Sequence, residues 1–345
     1  MKKLASILLV IALAVSCMAL TSCNDASTGK VPIVCGETGM NDVAGVATYG
    51  VNYYNLGVKA GDMAADILLN GQNPADMAVQ IDPNPGLSIN ESVAAEIGFT
   101  IPDSVKAKAG EDSTVKVDRV DSAIVTADAD FTVGILQLVQ HVALDQSNKG
   151  FQDQLSVRMS AAGKTVKIDD QNASGDQSNN ITIAETFVTN RVDLIYTIAT
   201  ASSQAAAAAT EESKIPVIFN AVTDPVGAGL VASMEAPGAN VTGVSDINPV
   251  AAQVSLIEEL LGTSDIKIGF LYTSAETNSV YQVELGKAEC EAKGYEYVEK
   301  GIGDINDIQA AFSALLAEGV DAIYIPTDNV LANGAATVHS VNLGE

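Results

Sequence analysis

Short runs of β-branched and aliphatic residues alternate with longer segments of helical period along most of this chain. Strands are predicted at Val31–Val34, Thr132–Leu136, Val166–Asp169, Asp193–Thr197, Val217–Ala221, Lys267–Tyr272, Tyr295–Val298 and Ala322–Pro326. Helices are predicted at Tyr53–Asn70, Leu144–Ala161, Asn179–Thr189, Ser202–Thr210, Pro249–Leu261, Ser279–Lys293, Asp307–Ala317 and Val330–Val341. Strand, helix, strand at this spacing builds βαβ units, hence parallel sheets covered by helices on both faces. Two runs of such units, 131–245 and 249–345, give an α/β chain with two doubly wound lobes, and the aperiodic Gly243–Pro249 stretch reads as a crossover between them.

The pattern is odd at both ends. The last helix follows a strand and has no strand after it, whereas Val31–Val34 has no helix before it. Joining Glu345 to Val31 completes a strand–helix–strand unit, and the block 31–102 is too short for an α/β core of its own. Residues 103–130, rich in Asp, Lys, Ser and Thr with weak periodicity, read as a linker.

Composition narrows the function. The 345 residues are enough for two domains, and with 47% hydrophobic and 18% charged residues they can bury a substantial core. The formal net charge of −25 repels nucleic acid and anionic membrane surfaces, and a chain without Trp is poorly equipped to stack bases. Lys2 and Lys3 precede an apolar run from Leu4 to Leu20, the form of an export signal. That run ends in Leu20-Thr21-Ser22-Cys23, which resembles the bacterial lipobox, so Cys23 is the expected lipidation site. Cys35 and Cys290 show no metal or redox spacing and are expected to be buried free thiols.

Several longer strings carry a resemblance. They are Gly134–Gln137 with His141, Ala143–Asp145 and Gly150-Phe151; Asn172-Ala173 with Gly175–Asn179; Ile198–Thr200; Thr223–Val231; Asn240–Asp246; and Pro326–Asn329. Together they resemble the ABC-transporter substrate-binding lipoproteins of the tryptophan/tyrosine-transporter type. The resemblance implies a type I periplasmic-binding-protein-like fold with three crossover segments, expected near Gly45–Asn52, Pro83–Ile89 and Gly243–Pro249, and a ligand cleft. It covers about 131–345 and 31–102, but the order departs from the family. The segment with Ala47–Val51 and Tyr53-Tyr54 normally follows the Thr327-Asp328-Asn329 string and here precedes Gly134–Gln137. The order resembles that of a circular permutation, the alternative being a sequence assembled from a broken or duplicated gene; a permuted fold predicts that Val31–Val34 lies beside Ala322–Pro326 in one parallel sheet. The expected division is 1–22 signal, 23–30 tether, 31–48 with 246–345 as one lobe, 49–102 with 131–245 as the other, and 103–130 linker.

Ligands of open α/β sheets sit at the carboxyl ends of strands, where helix N-termini present free N–H groups. In one lobe this nominates Gln137, His141, Thr200, Ser202, Ser203, Thr223 and Asp224. Thr200, Ser202 and Ser203 are suited to a carboxylate, and His141 is read either as a turn-stabilising residue or as a ligand contact. The other jaw would supply Glu37, Thr273, Ser274, Asn278, Ser279, Asp328 and Asn329, with Ser245 and Asp246 from the crossover. An amino-acid ammonium needs a shielded acidic partner, for which Asp328 is the first choice and Glu37 the second. Any aromatic stacking falls to Tyr49, Tyr272 or Tyr281. No Gly-x-Ser-x-Gly, Walker or dinucleotide motif is present, and no metal or cofactor is expected. The expected function is that of a lipid-anchored extracytoplasmic receptor, a monomer that binds a small solute, an amino acid by the resemblance, for an ABC permease. A ligand-binding sensor, or an exported enzyme on a doubly wound fold, is the alternative.

Overall fold

The computed structural model describes residues 30–110 and 113–345; the signal, Cys23 and the tether up to residue 29 lie outside the described residues. In chain order the elements are β1 Ile33–Cys35, α1 Thr38–Asn41, β2 Ala47–Gly50, α2 Tyr53–Asn70, β3 Gly86–Ile89, α3 Glu91–Glu96, α4 Asp103–Lys106, β4 Phe131–Gln137, α5 Val142–Ala161, β5 Val166–Asn172 and α6 Gln177–Thr189. There follow β6 Leu194–Ile198, α7 Thr200–Ala209, β7 Val217–Asn220, β8 Val241–Gly243, α8 Val250–Leu261, β9 Lys267–Thr273, α9 Thr277–Lys293, β10 Glu296–Ile302, α10 Ile308–Ala317, β11 Ala322–Ile325, α11 Asn329–Asn333 and α12 Ala335–Leu343. Helix ends follow capping chemistry. Asn52 accepts the Asn55 N–H to open α2, and α8 and α9 end on Gly262 and Gly294 in the left-handed conformation. The helix expected over Val330–Val341 is interrupted at Gly334, where a Cβ would stand 2.5 Å from Ile308 Cδ1 of α10.

The first lobe is a five-stranded parallel sheet in the order β5-β4-β6-β7-β8. All residues of β6 and β7 are buried, as expected when helices cover both faces. Helices α2 and α5 cross so closely that a Cβ on Gly57 would stand 2.1 Å from Ser147 O, and one on Gly150 2.1 Å from Tyr54 O. Arg158 of α5 ties the pair further, reaching Asp62 at 2.7 Å and Asp66 at 2.6 Å on α2. Phe151 stacks on Tyr196 beneath them, centroids 3.8 Å apart.

The second lobe is a parallel sheet in the order β1-β11-β9-β10, flanked by an antiparallel pair β2-β3. The juxtaposition expected of the rearranged order is present: β1 runs parallel to β11 in the register Ile33↔Ile323 to Cys35↔Ile325. The ends of the described chain meet as well. The Asn342 side chain accepts the Val31 N–H at 3.1 Å and donates to Val31 O at 2.9 Å. Cys35 and Cys290 are buried free thiols, and burial pushes both thiols up.

Two boundaries differ from the sequence reading. Residues 49–102 were expected in the first lobe, but only the part through α2 and its exit packs there. Leu87, Val93, Ala94, Ile97, Ile101 and Val105 are buried with Val254, Ile257 and Ile268 of the second lobe. Their apolar faces are best covered there because β3 pairs with β2. The expected linker 103–130 is also docked. It begins in α4, donates from Val120 N to Ser156 Oγ at 2.9 Å, and buries Ala123 in the first lobe. The chain therefore passes between lobes at 51–52, 81–85, 107–119 and 244–249, one passage beyond the three expected.

Candidate functional site

The carboxyl ends of β4, β6 and β7 in one lobe face those of β1, β9 and β11 in the other. Between them lies a chamber lined by Glu37, Tyr53, His141, Leu144, Ala221, Thr223, Asp246, Asn278, Thr327, Asp328, Asn329 and Ala332, with a volume of about 10 Å³, the space of one water. A second cavity of about 90 Å³, lined by Thr200, Asp224, Gly227, Ala228, Thr277 and Asn278, adjoins it through Asn278.

The chamber is acidic, and among the described residues neither lysine nor arginine lines it. Glu37 accepts the N–H groups of Gly39 and Met40 and so caps α1. Burial outweighs those two bonds and raises its carboxyl from 4.5 to about 7. Asp246 accepts the Tyr53 hydroxyl at 2.7 Å and the Thr223 hydroxyl at 3.0 Å, and its carboxyl is also raised by burial. Asp328 is more fully engaged. It accepts Thr273 N at 2.6 Å, Thr273 Oγ1 at 2.8 Å, Ser279 Oγ at 2.6 Å and Leu331 N at 2.9 Å. Glu276 lies behind it, raised to about 7 by burial and then by the charge of Asp328, and it accepts from Asn278, Asn329 and Val330.

The jaws touch through His141 Nε2 and Asn329 Oδ1 at 3.4 Å. Burial lowers His141 to about 4, so the imidazole is neutral. Its side chain makes no capping bond to α5 although it occupies the capping position. Backbone strain collects on the same rim. Ala199 and Ala221, at the ends of β6 and β7, have φ of +88° and +54°, a region alanine rarely adopts. Thr200, which opens α7, holds a buried hydroxyl with no hydrogen-bond partner among the described residues.

Of the residues expected from the sequence, Glu37, His141, Thr223, Asp246, Asn278, Asp328 and Asn329 line the chamber, and Thr200, Asp224 and Asn278 the adjoining cavity. The structure engages the others elsewhere. Gln137 bonds Asp145 at 2.7 Å and Val139 O at 2.9 Å inside its own lobe. Ser202 donates to Asn180 at 2.7 Å, and Ser203 pairs with Thr197 at 2.9 Å, because α7 begins at Thr200 and turns both serines inward. Ser245 donates to Thr223 O, and Ser274 to Ile302 O, so both brace backbone. Thr273 and Ser279 act through Asp328. Tyr49 and Tyr272 pack on the second lobe's core, and Tyr281 is exposed, so the aromatic group at the chamber is Tyr53. Tyr53 and Glu276 were not singled out from the sequence. Both stand at helix starts after strands, the position that nominated the others.

Two crossovers are pinned beside the chamber. Asn248 accepts the Val51 N–H at 3.0 Å and donates to Asp246 O at 3.0 Å and to Thr327 Oγ1 at 3.3 Å.

Comparison with known proteins agrees with this architecture. Residues 1–113 and 132–344 match the family described as ABC transporter substrate binding protein. The chain belongs to this family. Its members bind substrates and are not enzymes. A curated relative, the tyrosine-binding protein of Clostridioides difficile, is 42% identical over 209 residues, which span 61% of this chain and 59% of that protein. A Streptococcus pneumoniae domain solved in complex with L-Trp is 43% identical with a TM-score of 0.55, covering 61% of this chain and 70% of that one. A conserved domain protein from Vibrio cholerae is 36% identical with a TM-score of 0.56, covering 62% and 71%. Among the described residues no helix is long and apolar enough to cross a membrane.

Proposed function

We propose that this protein is the extracytoplasmic receptor of an ABC importer, anchored by a lipid on Cys23, and that it encloses an aromatic L-amino acid between its lobes. The observation that carries this reading is the charge pattern of the cleft. Among the described residues, buried carboxylates line the chamber without a lysine or arginine beside them, and a threonine hydroxyl without a partner opens a helix at the adjoining cavity. A zwitterion complements both. Its ammonium would sit against Asp246 and Glu37, whose oxygens are less occupied than those of Asp328. Its carboxylate would take the Thr200 hydroxyl and the first N–H groups of α7. Tyr53, Leu144, Ala221 and Ala332 offer apolar surface to a side chain. The relatives that are named for tyrosine or were solved with L-Trp point the same way.

The chamber as described holds about one water, so binding requires the lobes to part and the chamber to widen around the ligand as they close again, with the crossovers around Asn248 as hinge. Exclusion of water then strengthens each polar contact to the ligand. The closed form would be what a permease recognises. The rearranged order is read as a circular permutation, supported by the β1–β11 pairing and the Asn342–Val31 bonds.

Thermal unfolding in the presence of each of the twenty amino acids, a sugar panel and purines tests the ligand. Tryptophan or tyrosine at about 100 times Kd should add about 2.7 kcal/mol of stability. Stabilisation by a sugar or purine with none by any amino acid overturns the reading. For the anchor, labelled fatty acid should enter the wild-type chain and not Cys23→Ser.

A further inference from the structure

The lobes meet closely where α1 faces α5. Gly39 belongs to the second lobe, and Val142 and Ala143 open α5 of the first. A Cβ added at Gly39 would stand 3.2 Å from Val142 Cβ and 3.3 Å from Ala143 N, with Glu37 Oε2 at 3.0 Å. The two contacts on the opposite lobe belong to backbone or to the atom next to it, so neither can rotate away. Gly39 is not among the residues of positive φ, so its backbone does not call for glycine. Alanine would in fact favour the helical conformation by about 1 kcal/mol. What glycine supplies here is room.

The place of this contact gives the room a purpose. Glu37, His141 and Leu144 line the buried chamber, whereas Gly39, Val142 and Ala143 line a surface groove of about 610 Å³ on the other side. Tyr53 borders both. The Gly39–Val142 contact is therefore part of the wall that parts the chamber from the groove.

We infer that Gly39 is a positioning residue for closure: it touches no ligand, and its missing side chain sets how near the two jaws come. This rests on the closure reading above. A Cβ at 39 needs a few tenths of an ångström of give from α5, and a larger side chain would hold the lobes apart, stretching the 3.4 Å His141–Asn329 contact and admitting water to the buried carboxylates. Apparent affinity then falls by the fraction of molecules still able to close.

The test uses Gly39→Ala, Gly39→Leu, Val142→Gly and the double variant Gly39→Ala/Val142→Gly, with L-tryptophan as probe in titration calorimetry. Gly39→Ala should bind about tenfold more weakly, the scale of an overpacked contact, and Gly39→Leu more weakly still. The ligand-free melting temperature of Gly39→Ala should be unchanged or higher, which a general loss of structure would not give. Val142→Gly removes the nearer of the two opposing atoms and leaves Ala143 N at 3.3 Å and Glu37 Oε2 at 3.0 Å, so it should restore part of the binding lost in Gly39→Ala. Wild-type affinity in Gly39→Leu overturns the inference, and so does a failure of Val142→Gly to restore binding. If the wild-type protein does not bind L-tryptophan, the ligand reading fails separately. Small-angle scattering then decides the closure inference: a radius of gyration larger in Gly39→Leu than in wild type upholds it, and equal radii reject it.

Discussion

Replacing Glu37 by glutamine should change how stability depends on pH. Burial raises the Glu37 carboxyl from 4.5 to about 7. A carboxyl whose folded-state pKa lies above its unfolded value costs stability when ionised. The cost is full above about pH 7, shrinks as pH falls toward 4.5, and is absent below that. At about 1.4 kcal/mol per pH unit, the displacement is worth about 3 kcal/mol. Glutamine carries no charge but has one acceptor oxygen where the carboxylate uses two, on Gly39 N and Met40 N. Losing one of those bonds adds a constant offset of about 1–3 kcal/mol at every pH. The pH-dependent part is therefore the clean signal. In urea unfolding of the ligand-free proteins, Glu37→Gln should gain about 2.5 kcal/mol on wild type between pH 5 and pH 8, equivalent to about 4 °C in melting temperature for a chain of this length. Glu276 and His141 titrate in both proteins and cancel in the difference. An offset that is the same at pH 5 and pH 8 would show that Glu37 is not held in the dry environment on which the charge argument depends.

Asp246→Asn and Asp328→Asn should separate binding from structure. The first should weaken amino-acid binding at least about tenfold with a small change in melting temperature, while the second, which disturbs four hydrogen bonds, should cost about 3 kcal/mol in urea unfolding. Gly57→Ala should destabilise by about 1–3 kcal/mol or more in the same assay, because its Cβ would meet Ser147 O at the α2–α5 crossing. Phe151→Ala should cost about 3–5 kcal/mol, since it empties a fully buried ring site stacked on Tyr196.

The strands were legible because their β-branched runs end in turn residues, and most of them begin and end within one to three residues of expectation. β10 runs on to Ile302, and the short strands β2, β3 and β8 were not among those expected, because three or four residues give too little alternation to read. The alternation and spacing of Val93, Ala94, Ile97, Ile101 and Val105 signal a buried face. Periodicity does not say which lobe covers it, and here the lobe is chosen by the β2–β3 pairing. The strand-end rule reached Glu37, His141, Asp246 and Asp328, because topology alone brings carboxyl ends together. It could not tell Asp246, with two hydroxyl donors, from Asp328, with four donors. That depends on side chains meeting across distant segments. Ser202 and Ser203 illustrate sensitivity to helix phase: starting α7 two residues earlier turns both toward the lobe interior.

The middle position of β11 has a bearing on how the chain folds. β1, the first strand in the sequence, is hydrogen-bonded into its sheet through β11, nearly 290 residues later. The second lobe thus cannot assemble progressively from its N-terminal side. Closing so long a loop must come before its contacts stabilise anything, which slows folding. The five strands of the first lobe's sheet, by contrast, come from one continuous stretch, 131–243, and can form first. Until β11 arrives, the apolar β1 and the exposed flank of β9 are unpaired edges. Folding of this protein should therefore show a late step governed by its C-terminal strand, with the first lobe already ordered.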